Sequence, residues 1–246
     1  MTAQQAKQAV KNALYRTIGE TSTVLRLHPD GQKTLSILMY HKVNDLTDNP
    51  TTVPVGIFDE QLGRLEELGY NVVGLDAVLD HYTLGAPLPE KAVLITFDDG
   101  YRDTLENALP VLQKHGHPAV VFIPVAYMED ETPLPHEARL VERGVRNRTL
   151  DWGLMRELDA SGVRVESHGI AHRPLAEVML DEAVREIAVS KLKLEEKLGR
   201  HNVEPYPNRT FELVLSGACD LISLKDTVAG THARRLFNQA LGTSTR

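Results

Sequence analysis

The chain has 246 residues, 42% hydrophobic and 25% charged, ordinary values for a globular protein with a sizeable core. Lys and Arg number 27 against 34 Asp and Glu, a net charge of −7, which argues against a nucleic-acid partner. One cysteine, Cys219, excludes an intrachain disulfide; in LSGACDLISL it reads as a buried apolar thiol.

Residues 1–33 read as a helical arm, with Ala6, Val10 and Leu14 on one face. They hold no apolar signal region, and no run in the chain approaches about 18 apolar residues. The expectation is a cytoplasmic protein without a transmembrane segment. Residues 34–246 read as one domain.

In that domain strand-like and helix-like pieces alternate. TLSILMYH is an apolar run ending at His41. FDEQLGRLEELG places Phe58, Leu62, Leu65 and Leu68 on one helical face and stops at Gly69. NVVGL is a short strand, DAVLDHYTLG a short helix, KAVLITF a strand, and TLENALPVLQKHG a helix ending at Gly116. PAVVFIPV is the next strand. The charged, proline-bearing MEDETPLPHEARLVERGVRNRT reads as a surface insertion or lid. LDWGLMRELDASG is a helix, VRVESH a strand, and Asp181 is placed to cap a long helix ending at Gly199; LISL is a last strand. The alternation predicts an α/β fold with a mainly parallel sheet, its strands apolar on both faces. No glycine-rich phosphate fingerprint follows the first strand.

Sites in parallel α/β folds lie at the carboxyl ends of strands. SILMY delivers His41 there, VLITF delivers Asp98 and Asp99, and VRVES delivers His168 and then His172. Two adjacent carboxylates cannot easily both stay charged without a cation. Two imidazoles and one carboxylate suit a divalent ion with open coordination positions, and the other aspartate is then free to act as a base on water. On one helical turn, or in a strand-to-helix turn, both rings of HGIAH can converge on one ion.

TFDDGY (residues 96–101) and SHGIAH (residues 167–172) resemble the first two motifs of the polysaccharide deacetylases, the NodB-homology group of carbohydrate esterases. ILMYHKV, FDEQLGRLEELGYNVVGL, LPEKAVLITFDDGY and LDWGLMRELDASGV resemble its Met-Tyr-His branch, so the likeness covers residues 36–199. It implies a distorted or incomplete (β/α) barrel and metal-dependent removal of acetyl groups from an N-acetylated sugar. By the same resemblance Asp98 matches the catalytic base, and Asp99, His168 and His172 match the ligands of a divalent metal, zinc first among the candidates. A backbone N–H near Tyr101 would face the developing oxyanion. Gly169 stands where the family usually has a hydroxyl residue.

The family's third motif sets an arginine near a Pro-Tyr pair. RHNVEPYPNRTFELV offers Arg200 or Arg209 with Pro205 and Tyr206, the tyrosines 101 and 206 being placed at the substrate. The family's general acid is a histidine; His232 and His41 are the candidates. Three other readings stay open: an O-acetyl esterase or non-sugar amidase, an impaired sugar-binding relative, and a non-haem iron oxygenase, since two histidines and a carboxylate also suit iron.

Overall fold

The computed structural model describes residues 35–46, 49–129, 133–175 and 177–199. The N-terminal arm, the LISL strand and Cys219 lie outside these residues. Among them, no helix is long and apolar enough to cross a membrane.

The main sheet is built from β1 (Leu35–Tyr40), β4 (Asn71–Val72), β5 (Ala92–Phe97), β6 (Ala119–Ile123) and β7 (Val163–Ser167). Every pairing is parallel. β1 runs the full length of one edge of β5, while β4 and β6 share the other edge, β4 at Ala92–Val93 and β6 at Thr96–Phe97. β7 pairs with β6 from Ala119 to Ile123. The order β1-β5-β6-β7 leaves the sheet open among the described residues. A minor pair, β2 (Lys42–Val43) with β3 (Thr52–Val53), follows β1. All six β5 residues are buried, as a central parallel strand requires.

Both faces of the sheet are covered. Helix α1 (Val55–Glu67) buries Phe58 and Leu62, one turn apart, and ends where Gly69 takes φ 69°. Phe58 meets Tyr40 edge-on at 5.1 Å and Phe97 at 5.9 Å, and Tyr40 stacks on Phe97 at 5.6 Å. This cluster fixes the carboxyl ends of β1 and β5, where the candidate site residues begin. The opposite face carries Leu94, Val120 and Phe122 against Leu75, Val78 and Leu79 of α2 (Leu75–Leu84).

A π-helical turn (Thr104–Ala108) leads into α3 (Leu109–His115); Pro110 has no N–H to give the carbonyl four residues back, which suits a wider turn. After β6 come α4 (Ala138–Glu142), α5 (Trp152–Ala160) and α6 (Leu180–Leu198). The Asp151 side chain caps α5 through Gly153 and Leu154 N–H at 2.7 and 2.9 Å. The expected cap at Asp181 is not used. Met179 holds the cap position, and Asp181 lies inside the first turn, where its charge complements the helix dipole.

Candidate active site

β5 ends at Phe97 and the chain enters the paired aspartates. The Asp98 N–H donates to the Tyr40 carbonyl at 2.9 Å, extending the β1 pairing one residue past the strand. Asp98 and Asp99 are both buried. Asp99 then adopts φ 72°, a left-handed conformation that aspartate tolerates better than most residues. Gly100 follows at φ 63°, and a Cβ there would stand 2.6 Å from Ile123 Cγ2. Only glycine lets the chain turn this close to β6.

Four imidazoles surround the Asp99 carboxylate. His172 Nε2 is 3.0 Å and His168 Nε2 3.8 Å from Oδ1; His136 Nε2 is 3.5 Å and His41 Nε2 4.0 Å from Oδ2. Both Asp99 oxygens are buried, yet neither receives a hydrogen bond of good geometry. Burying a carboxylate without donors is costly. A cation drawn to converging lone pairs removes that cost, and one ligand atom each from Asp99, His168 and His172 lies within 4.8 Å of the others. That span suits a shared ion with bonds of about 2.0–2.2 Å.

The electrostatics agree. Burial works to raise the Asp99 carboxyl, but the His172 contact and the charges of His172, His168 and His136 outweigh it, and the net direction is down. The Asp99 contact raises His172. Burial lowers His41, against the pull of Asp99, so its neutral ring is favoured.

The second motif is a loop, not a helical turn, and it is held from two sides. His168 N–H donates to the Ile123 carbonyl at 2.8 Å, and Val125 and Ala126 N–H donate to Gly169 and Ile170 carbonyls at 3.1 and 2.9 Å. Glu186 of α6 accepts from Ile170 and Ala171 N–H through one oxygen, at 2.7 and 2.9 Å. Gly169 has φ 82°, and a Cβ on it would come within 3.3 Å of that same oxygen. Glycine is therefore the residue this loop accepts. Ser167 Oγ accepts from the Gly169 N–H at 3.2 Å.

The segment 128–149, read from the sequence as a surface insertion or lid, brings His136 to Asp99 and Glu137 to Lys42. Glu137 is 1% exposed, and Lys42 Nζ sits 2.6 Å from its Oε1. Tyr101 OH donates to the same oxygen at 2.9 Å, and Asn147 Nδ2 lies 2.9 Å from both carboxylate oxygens. Tyr101 itself is 1% exposed. Its side chain thus braces Glu137 instead of meeting substrate, and burial, with Asp99 and Glu137 nearby, pushes its hydroxyl far above the usual tyrosine range. Because the phenol proton goes to Glu137, His136 Nε2 acts as donor in its 3.0 Å contact with the Tyr101 oxygen. Lys42, His136, Glu137 and Glu186 gave no sequence signal beyond their charge. Arg200, Tyr206 and His232 lie outside the described residues.

The sequence profile described as polysaccharide deacetylase matches residues 85–209, half of the chain. The chain belongs to the polysaccharide deacetylase family. It is 29% identical to YxkH of Bacillus subtilis (strain 168), a protein placed with the same family by name, over 78% of this chain and 62% of YxkH. It is 33% identical to the poly-beta-1,6-N-acetyl-D-glucosamine N-deacetylase of Escherichia coli (strain K12) over 53% of this chain, but spans only 20% of that protein. Among solved structures, IcaB from Ammonifex degensii superposes with a TM-score of 0.58 at 22% identity, covering 75% of this chain and 81% of IcaB. That likeness establishes the fold: the α/β NodB-type arrangement of this polysaccharide deacetylase family member, its barrel not closed among the described residues.

Proposed function

We propose that this chain is a divalent-metal-dependent hydrolase that removes acetyl groups from N-acetylated sugars of a polysaccharide or glycan precursor. The observation that carries the proposal is the buried Asp99 carboxylate, which accepts no hydrogen bond of good geometry and is faced by the Nε2 atoms of His168 and His172. Asp99, His168 and His172 would hold the ion, zinc in the first place. When bound, it supplies Lewis acidity toward an acetyl carbonyl and makes water more acidic.

Asp98 stands next in the chain, buried at the end of β5, and takes the proton from the attacking water. The Tyr101 backbone N–H, in the loop that Gly100 turns, faces the oxyanion that forms at the acetyl carbon. Collapse of that intermediate expels the sugar amine, which needs a proton. Among the described residues His41 and His136 are the imidazoles near Asp99 left over for this transfer; His232 is a third candidate. The name of the E. coli relative, an N-deacetylase, supports amide rather than ester cleavage.

The test is acetate release from β-1,6-linked N-acetylglucosamine oligomers by metal-stripped protein reconstituted with Zn2+. Release that requires the ion and disappears in Asp98→Asn is expected. A zinc-loaded chain that frees acetate from O-acetylated xylan and not from the amide substrate overturns the N-deacetylase reading.

A further inference from the structure

A second group of metal-ligating side chains sits at the other end of the sheet. His115 closes α3, and His117 lies two residues on, just before β6 begins at Ala119. Glu66 lies in the last turn of α1, which packs beside them. One ligand atom from each of Glu66, His115 and His117 lies within 4.8 Å of the others. In a parallel sheet this is the amino end of β6, whereas Asp99 follows the carboxyl end of β5.

Each imidazole is already oriented for a ligand. His115 Nε2 contacts Asp59 Oδ1 at 2.7 Å, and both Asp59 oxygens lie 2.7 Å from Lys114 Nζ. The other nitrogen, Nδ1, lies 3.0 Å from Glu66 Oε1. His117 Nε2 is buried, has no hydrogen-bond partner, and faces Glu66 Oε1 at 3.7 Å. With its proton on Nδ1, the His117 ring turns the Nε2 lone pair toward Glu66. A buried lone pair without a partner costs free energy that an ion recovers. Histidine ligands backed by a carboxylate or a backbone carbonyl on the far nitrogen are the usual arrangement at metal centres.

We propose that Glu66, His115 and His117 form a second site, for a divalent transition ion of the zinc class, that clips the end of α1 to the α3–β6 turn. Binding replaces the proton on His115 Nδ1 with the ion, while Nε2–H stays on Asp59. Glu66 brings one negative charge to the ion, while that of Asp59 is shared with Lys114. The site is independent of the deacetylase chemistry, and nothing in it touches Asp98 or Asp99.

Zinc uptake by the untagged, metal-stripped full chain, titrated with zinc chloride at about pH 7.5, tests this. The unsubstituted chain is expected to bind two equivalents and Asp99→Ala one. Adding His117→Gln or Glu66→Gln to Asp99→Ala should weaken that remaining equivalent at least about tenfold. Glu66 is exposed on α1, so Glu66→Gln leaves folding intact and guards against a misfolded His117 variant. In the otherwise native chain the same substitutions should weaken one equivalent of the two to the same degree and leave the other unchanged. The proposal is overturned if Asp99→Ala binds no zinc, or if both substitutions leave uptake unchanged. Acetate release plays no part in the readout, so failure here and failure of the deacetylase reading are separate results.

Discussion

Asp99 and His172 face each other at 3.0 Å, and both hold left-handed backbone conformations, φ 72° and 53°. They are two of the four non-glycine residues with positive φ among the described residues. Such conformations cost on the order of 1–3 kcal/mol each and persist where surrounding structure enforces them. Here Gly100 against Ile123 enforces one, and the Glu186-anchored loop enforces the other. The backbone itself holds the two side chains facing each other.

Asp98 and Asp99 should fail in different ways when replaced. Asp99→Ala is expected to lose zinc at the first site and, with it, acetate release. Asp98→Asn should keep that zinc and lose about 10²–10⁴-fold in kcat, the range for removing a general base. Paired measurements of metal content and acetate release on both variants check this. Asp98→Asn with undiminished kcat would remove Asp98 from the role of base.

Glu186 should matter to metal affinity although it is no ligand. Glu186→Ala frees the Ile170 and Ala171 N–H groups and is expected to weaken zinc at the Asp99 site by about 10–100-fold, with the fold retained. Gly169→Ser, which restores the residue type usual in the family, should also impair binding. Its side chain would need φ 82° and meet Glu186 at 3.3 Å. Competition titrations with a chromogenic chelator report both effects.

Breaking the buried ion pair should be costly. Lys42→Met leaves the Glu137 charge without its cation and is expected to destabilise by about 3–5 kcal/mol. Lys42→Met combined with Glu137→Gln should recover part of this loss, because no buried charge then stands alone. Urea unfolding of the single and double variants measures the coupling.

Asp103 supplies a pH signature. Burial pushes its carboxyl up to about 6, against hydrogen bonds from Asn44 and from the Val43 N–H. Between its ordinary 3.8 and that value the folded chain keeps a proton that the unfolded chain has released. Stability from this group therefore falls as pH rises from about 4 to about 6, by on the order of 2–3 kcal/mol. Asp103→Asn should flatten that slope relative to the unsubstituted chain. Unfolding midpoints of both metal-stripped proteins across the window provide the comparison, and parallel profiles would refute the assignment.

The alternation of strands and helices was legible because each period is local. β5 reads as an apolar run and is fully buried; Phe58 and Leu62 repeat at helical spacing and pack beneath it. Asp98, Asp99, His168 and His172 were legible because each follows directly on a strand whose end is an expected site position. Glu137 was not, because its partner Lys42 lies 95 residues away and no short-range period links them. Glu186 resembles any acidic residue on a solvated helix until the loop it holds is folded against it. Tyr101 misled for a related reason: its place in the motif is plain from the chain, but the direction of its ring is decided by Glu137.

The Lys42–Glu137 pair also decides how far the stretch around Glu137 can move. A flap would have to leave the sheet and return, but lifting Glu137 away would strand an ammonium in an apolar interior. The stretch around it is therefore a wall and not a door. Backbone amides near Asn147 should then exchange with deuterium only as fast as the central strands do, in one cooperative opening.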